Sequence, residues 1–213
     1  MEKIRVSRPL AGSPDVYESE LQKKIYDKLA SLEIDFLRVE NDPAVTMEDC
    51  KAIDEAFGVE TVKTILLTNR QKTKFYLLVM PADKPFVTKD FGAALNIPRV
   101  SFADTDLLES LLATPRGAAT PLSTVVDNEN RVSLVFDKEL TKRERIVCTD
   151  GTLHGFISLK YDDLINKYFP AAGHDLRYTE RGQVHIYKQG GKTQGRRRGR
   201  QAGRDARQAV DRH

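Results

Sequence analysis

The stretch VETVKTILLTNRQKTKFYLLVMPADKP, residues 59–85, decides the fold. Two hydrophobic runs flank a polar connection, and each alternates in the way an extended chain alternates its side chains. In TVKTILLT, Val62, Thr64 and Leu66 share one side, while Lys63, Ile65 and Leu67 share the other. In FYLLVMP, Phe75, Leu77 and Val79 oppose Tyr76, Leu78 and Met80, so both faces are apolar and the run predicts a central strand buried on both sides. Lys63 therefore stands on an apolar face. Either its stem packs on Ile65 while the ammonium snorkels to water, or the cation is aimed into a cleft, where partial desolvation strengthens its hold on a carbonyl or phosphate oxygen.

Working outward, helical and extended patterns interleave. ESELQKKIYDKLASLEI carries Leu21, Ile25, Leu29 and Leu32 at helical spacing. TMEDCKAIDEAFG opens on Thr46 as an N-cap with Asp49 three residues on, and closes on Gly58. IDFLRVEN, RVSFA, RIVCT and FISLK have strand character; KDFGAALN, DTDLLESLLAT and YDDLINKYF read as helices. PRGAATPLSTVVDNENRVSLVFDKEL reads as a loop, a strand, an Asn/Asp turn and another strand, and HDLRYTERGQVHIYK adds a final hairpin. No regular βαβ rhythm appears. The expected fold is α+β, a single domain with a mixed, mostly antiparallel central sheet flanked by helices.

The organisation follows from composition. Residues 1–15 form an N-terminal arm, 16–188 the folded domain, and 189–213 a basic, low-complexity tail that reads as disordered. Residues 192–213 hold eight of the 34 basic residues and two of the 31 acidic ones, so the tail is +6 and the remainder −3. Attraction to nucleic acid is thus concentrated in the tail, with Arg196, Arg197, Arg198 and Arg200 as candidate RNA contacts. The alternative is a solvated extension with no partner. No run is apolar enough for a membrane span, the start lacks a secretory h-region, and two cysteines are too few for a disulfide framework. Those features predict a cytoplasmic protein that does not engage membranes.

Serine-hydrolase, zincin, P-loop and dinucleotide signatures are all missing. His154, His174, His185 and His213 are scattered, with no Cys/His cluster at metal spacing, so neither metal nor other cofactor is expected. Beside Lys63, two places can carry chemistry. Gly117–Pro121, GAATP, is either a strand-entry turn or a loop closing around a small group with its backbone dipoles. VCTDGTLHG, residues 147–155, is either a polar DG turn or a site presenting Thr149, Asp150, Thr152 and His154.

VKTILLTNRQKTKFYLLVMPADKP, RVSFA, GAATPLS with VVDNENRVSLVFDKEL, and DDLINKYFPAAGHD together resemble the YbaK/prolyl-tRNA-synthetase-associated domain family, in particular its freestanding prolyl-tRNA editing branch. The likeness runs in order from about Glu20 to His174. The resemblance implies a trans-editing deacylase that hydrolyses the ester of a mischarged small amino acid, most often alanine, on tRNA(Pro). It makes aminoacyl-tRNA the partner, with prolyl-tRNA synthetase a second. It also implies that Lys63 is the principal functional residue, and that Gly117, Ala118, Ala119, Thr120 and Pro121 line the aminoacyl pocket, Ala118 and Ala119 setting its volume. Thr64, Thr149 and His154 are further candidates for substrate binding. Two departures stand out: Thr64 follows the lysine where the family has asparagine, and Thr149 and Asp150 replace a His-Pro pair, with Leu153 near the family's following asparagine. These leave open a non-catalytic tRNA- or synthetase-binding paralogue, and a deacylase of changed specificity using Thr64 and Thr149 on a serine or threonine hydroxyl.

Overall fold

The computed structural model describes residues 3–180 and 183–187. In chain order its elements are β1 (Leu10–Ala11), α1 (Glu20–Ser31), β2 (Phe36–Glu40), α2 (Met47–Phe57), β3 (Val62–Asn69), β4 (Phe75–Pro81), α3 (Thr88–Leu95), β5 (Val100–Phe102) and α4 (Thr105–Leu112). A 3₁₀ helix (Pro121–Val126), β6 (Val132–Asp137), a 3₁₀ turn (Lys138–Lys142), β7 (Arg145–Thr149) and β8 (Gly155–Lys160) follow. A C-terminal helix joins Tyr161–Asp163 and Phe169–Ala171 through a π turn, Leu164–Tyr168, before the hairpin β9 (Leu176–Glu180) and β10 (Gln183–Tyr187).

The strands divide between two sheets, of order β10-β9-β6-β4-β3-β5 and β1-β2-β8-β7. Among the strand pairs of the described residues only β4/β6 and β6/β9 are parallel, so the mixed, mostly antiparallel α+β fold is as expected. The second sheet is the addition to that expectation. It exists because β9 takes the outer edge of β6, while β7 and β8 pair with each other and β8 with β2. Every residue of β4 is buried, with β3 on one side and β6 on the other.

Packing follows the two-residue alternation. Val62 and Leu66 of β3 face a core shared with Leu21, Ile25 and Leu29 of α1, Leu122, and Tyr168. Leu67, with Ile65 packed beside it, faces Phe91 of α3 instead. Ser19 caps α1 through Gln22 N, and α2 has the expected Thr46–Asp49 capping box and a left-handed Gly58 at its end. The expected strand over PLSTVV is instead the 3₁₀ helix. There the Ser123 and Thr124 hydroxyls donate back to the Thr120 and Pro121 carbonyls at 2.6 and 3.0 Å, and Thr120 Oγ1 accepts from Leu122 N. Such local bonds supply the partners a ladder would give, and they outweigh the weak strand preference of a β-branched run. Residues 6–11 run along β2, with Val6 bridging Asn41 just past its end and β1 pairing Arg38 and Leu37.

Candidate functional site

An isolated parallel bridge, Thr61 to Val147, joins the two sheets. That bridge sets the start of β3, the strand that carries Lys63, beside β7, the strand that ends on Thr149. The two bridged residues lie 86 positions apart in the chain, so the seam is made by distant segments.

Lys63 is half-buried, and its Nζ donates to the Lys84 carbonyl at 2.9 Å. That bond occupies one of the three ammonium donors. Lys84 is itself clamped, with Nζ 2.7 Å from Asp137 and 2.6 Å from Glu139. Burial alone would lower the pKa of Lys84, but hydrogen bonds to Asp137 and Glu139 raise it above its ordinary value. Thr64 projects from the other face of β3, and its buried Oγ1 has no hydrogen-bond partner.

The Gly117–Pro121 loop closes on the seam from one side. Gly117 sits at φ +93, and a Cβ there would lie 3.1 Å from Leu153 Cδ2 and 3.5 Å from Val45 Cγ1. A side chain is thus disfavoured both by backbone and by space. Ala118 is fully buried, Ala119 half-buried, and Thr120 and Pro121 buried as the cap and first residue of the 3₁₀ helix. The Thr149 hydroxyl donates to Ala118 O at 3.0 Å and accepts from Gly151 N at 3.0 Å. With its one proton committed to Ala118 O, Thr149 cannot donate to a substrate hydroxyl.

Neighbouring groups narrow the chemistry further. Burial pushes the Cys148 thiol up to about 12, opposed by a smaller lowering from a Thr120 hydrogen bond, so Cys148 is a poor nucleophile. Asp150, one residue past Thr149, is 1% exposed and accepts from Gln22 Nε2, Tyr26 OH, Thr152 N and Thr152 Oγ1. His154 turns away, its Nδ1 2.8 Å from Glu18 Oε2, beside a separate polar cavity of about 180 Å³ that also touches Arg38, Asn41 and Asp150. Among the described residues, no group of three or more His, Cys, Asp or Glu is arranged to hold a metal ion. Structure thus ties Thr149 to the Gly117–Pro121 loop, holds Lys63 on the Lys84 carbonyl at the start of β3, and engages His154 with Glu18 instead. Arg196, Arg197, Arg198 and Arg200 lie outside the described residues. Sequence reasoning missed Lys84, hidden in a turn, and the Asp150 contacts, whose partners Gln22 and Tyr26 sit one position past the apolar stripe of α1.

The family model of the aminoacyl-tRNA editing domain matches residues 41–167, which contain every one of the seam residues. The chain belongs to the aminoacyl-tRNA editing domain family. It is 27% identical over 163 residues to the prolyl-tRNA editing protein ProX of Acetoanaerobium sticklandii, covering 76% of this chain and 99% of that protein. With prolyl-tRNA synthetase associated domain-containing protein 1 of Danio rerio it shares 29% identity over 132 residues, 62% of this chain and 71% of that protein. Two crystal structures share the fold. One, of a hypothetical protein, has a TM-score of 0.57 at 19% identity, covering 76% of this chain and 98% of the other. The second, described as a candidate trans-editing enzyme for prolyl-tRNA synthetase, has a TM-score of 0.56 at 12% identity, covering 78% and 100%.

Proposed function

We propose that this editing-domain protein is a trans-acting deacylase that hydrolyses the ester of a small amino acid, alanine first, from tRNA(Pro). The observation that carries this reading is the tie across chain segments, the Thr149 hydroxyl holding the buried Ala118 of the loop, in a fold whose β3 presents a half-buried Lys63 next to β7. An aminoacyl ester is already activated, so hydrolysis needs a placed water, which a ribose hydroxyl can orient, and stabilisation of the oxyanion, with no protein nucleophile. The ester lies across the seam with its side chain toward Ala118 and its carbonyl toward Lys63. As the water oxygen bonds to the carbonyl carbon, Lys63 donors hold the developing negative charge; the carbon–oxygen bond to the tRNA then breaks, and the leaving ribose oxygen takes the proton the water gives up. The Gly117–Pro121 loop rejects larger side chains by overlap.

A second reading, a tRNA- or synthetase-binding protein without turnover, is favoured by Thr149 and Asp150 in place of His-Pro and by the engagement of His154 with Glu18. One experiment separates the two: a panel of mischarged tRNAs with wild type and Lys63→Ala, following both retention and ester hydrolysis. Hydrolysis of alanyl-tRNA(Pro) that Lys63→Ala abolishes supports the deacylase. Retention without hydrolysis for any substrate establishes the binding reading. Deleting residues 192–213 tests the tail separately, and a real RNA contact by its arginines lowers the log–log salt slope by on the order of 5.

A further inference from the structure

Asp150 is a carboxylate buried among neutral partners. Gln22 Nε2 at 2.8 Å and Tyr26 OH at 3.1 Å occupy Oδ2; Thr152 N at 3.1 Å and Thr152 Oγ1 at 2.8 Å occupy Oδ1. Burying an ionisable group is costly, and four donors from two parts of the chain offset that cost only if their geometry is fixed. Fixed geometry is what the surroundings show. The Asp150 N–H donates to Gly155 O at 3.0 Å, and a Cβ on Gly155 would fall 2.1 Å from Asp150 Oδ2, so the loop is wrapped directly on the carboxylate. Gly151, at φ +92, lies so close to α1 that a Cβ would sit 2.8 Å from Leu21 Cδ2. Tyr26 stays a donor, because burial, and then the Asp150 charge, push its phenol far above the usual range.

The clamp has a direction. By holding residues 150–155 against α1, Asp150 aims Gly151 N at Thr149 Oγ1, which leaves the Thr149 proton on Ala118 O. A chain of contacts thus runs from Gln22 and Tyr26, through Asp150, Gly151 and Thr149, to the buried residue of the Gly117–Pro121 loop. We infer that Asp150 is a positioning residue that fixes, through Thr149, the spacing of the Gly117–Pro121 loop and hence the size limit of the aminoacyl pocket. The inference takes its substrate from the deacylase reading but its geometry from the hydrogen bonds alone.

Asp150→Asn tests it, since the amide must turn an NH2 toward either Gln22 Nε2 or the Thr152 N–H. Two measurements are made on the full chain: hydrogen–deuterium exchange at residues 117–121, and the ratio of kcat/KM for alanyl-tRNA(Pro) to that for 2-aminobutyryl-tRNA(Pro), which is one methylene larger. A variant that is merely less folded lowers both rates and leaves their ratio alone. Positioning predicts faster exchange at 117–121 and a ratio lowered about tenfold, within the range a single methylene commands in a fitted pocket. An unchanged ratio, or unchanged exchange at 117–121, overturns it. Tyr26→Phe removes one donor at constant shape and replaces the test should Asp150→Asn fail to fold; there the ratio falls about threefold, and no fall overturns the inference. Should wild type cleave neither ester, the deacylase reading fails, and exchange at 117–121 alone decides whether Asp150 sets the loop.

Discussion

Replacing Thr149 by valine keeps shape and removes one oxygen, and the structure says what that oxygen holds. Its hydroxyl serves Ala118 O and Gly151 N, both in buried residues, so valine breaks two hydrogen bonds and leaves a carbonyl and an N–H with no room for a replacement partner. At roughly 1 kcal/mol per bond, with a further desolvation cost for the groups left unpaired, the loss is about 3 kcal/mol. For a chain of this size that lowers Tm by about 6–12 °C. Thr149→Ser keeps the hydroxyl and loses a methyl, a cost of about 1 kcal/mol. Urea unfolding of wild type and both variants reads the difference between them, about 2 kcal/mol. Valine and serine variants of equal stability would refute the assignment of the Thr149 hydroxyl as the tie between the β7 end and the Gly117–Pro121 loop.

Other consequences are as direct. Gly155→Ala forces a Cβ to 2.1 Å from Asp150 Oδ2 and destabilises by about 3 kcal/mol; adding Asp150→Ala relieves most of that, and a double-mutant cycle showing additive effects would contradict the close approach. Lys63→Ala lowers kcat for alanyl-tRNA(Pro) by about 10²–10³ while stability changes by less than about 1 kcal/mol, since the ammonium makes one partly exposed bond to Lys84 O. Stability also falls with alkali. Burial raises Cys148 from 9.0 to about 12 and Cys50 from 9.0 to about 11, so the folded chain keeps thiol protons that the unfolded chain releases above about pH 9. The contribution is whole below pH 9 and is lost as pH rises toward 11 to 12, at about 1.4 kcal/mol per pH unit for each thiol. Denaturant unfolding at pH 8 and pH 10 measures it, and Cys148→Ala must flatten the slope.

Much of this molecule is written locally. The period-two alternation around Lys63, the doubly apolar run of β4, and the Thr46–Asp49 and Gly58 signals of α2 each concern neighbours in the chain, where side-chain direction is fixed by backbone geometry alone. The family likeness of separated motifs carried that reading on to Lys63 and the Gly117–Pro121 loop. What sequence left open depends on contacts between distant segments. Where the Lys63 ammonium goes turned on a carbonyl in the turn at Lys84, 21 positions on. PLSTVV became a helix because its own hydroxyls satisfied its backbone before a strand partner could. His154 and Asp150 lie in one polar turn, indistinguishable by composition, yet one is drawn out to Glu18 and the other buried beneath α1. Periodicity tells which face a residue occupies. It cannot tell what the chain folds against that face, and the role of a polar group is set by those partners.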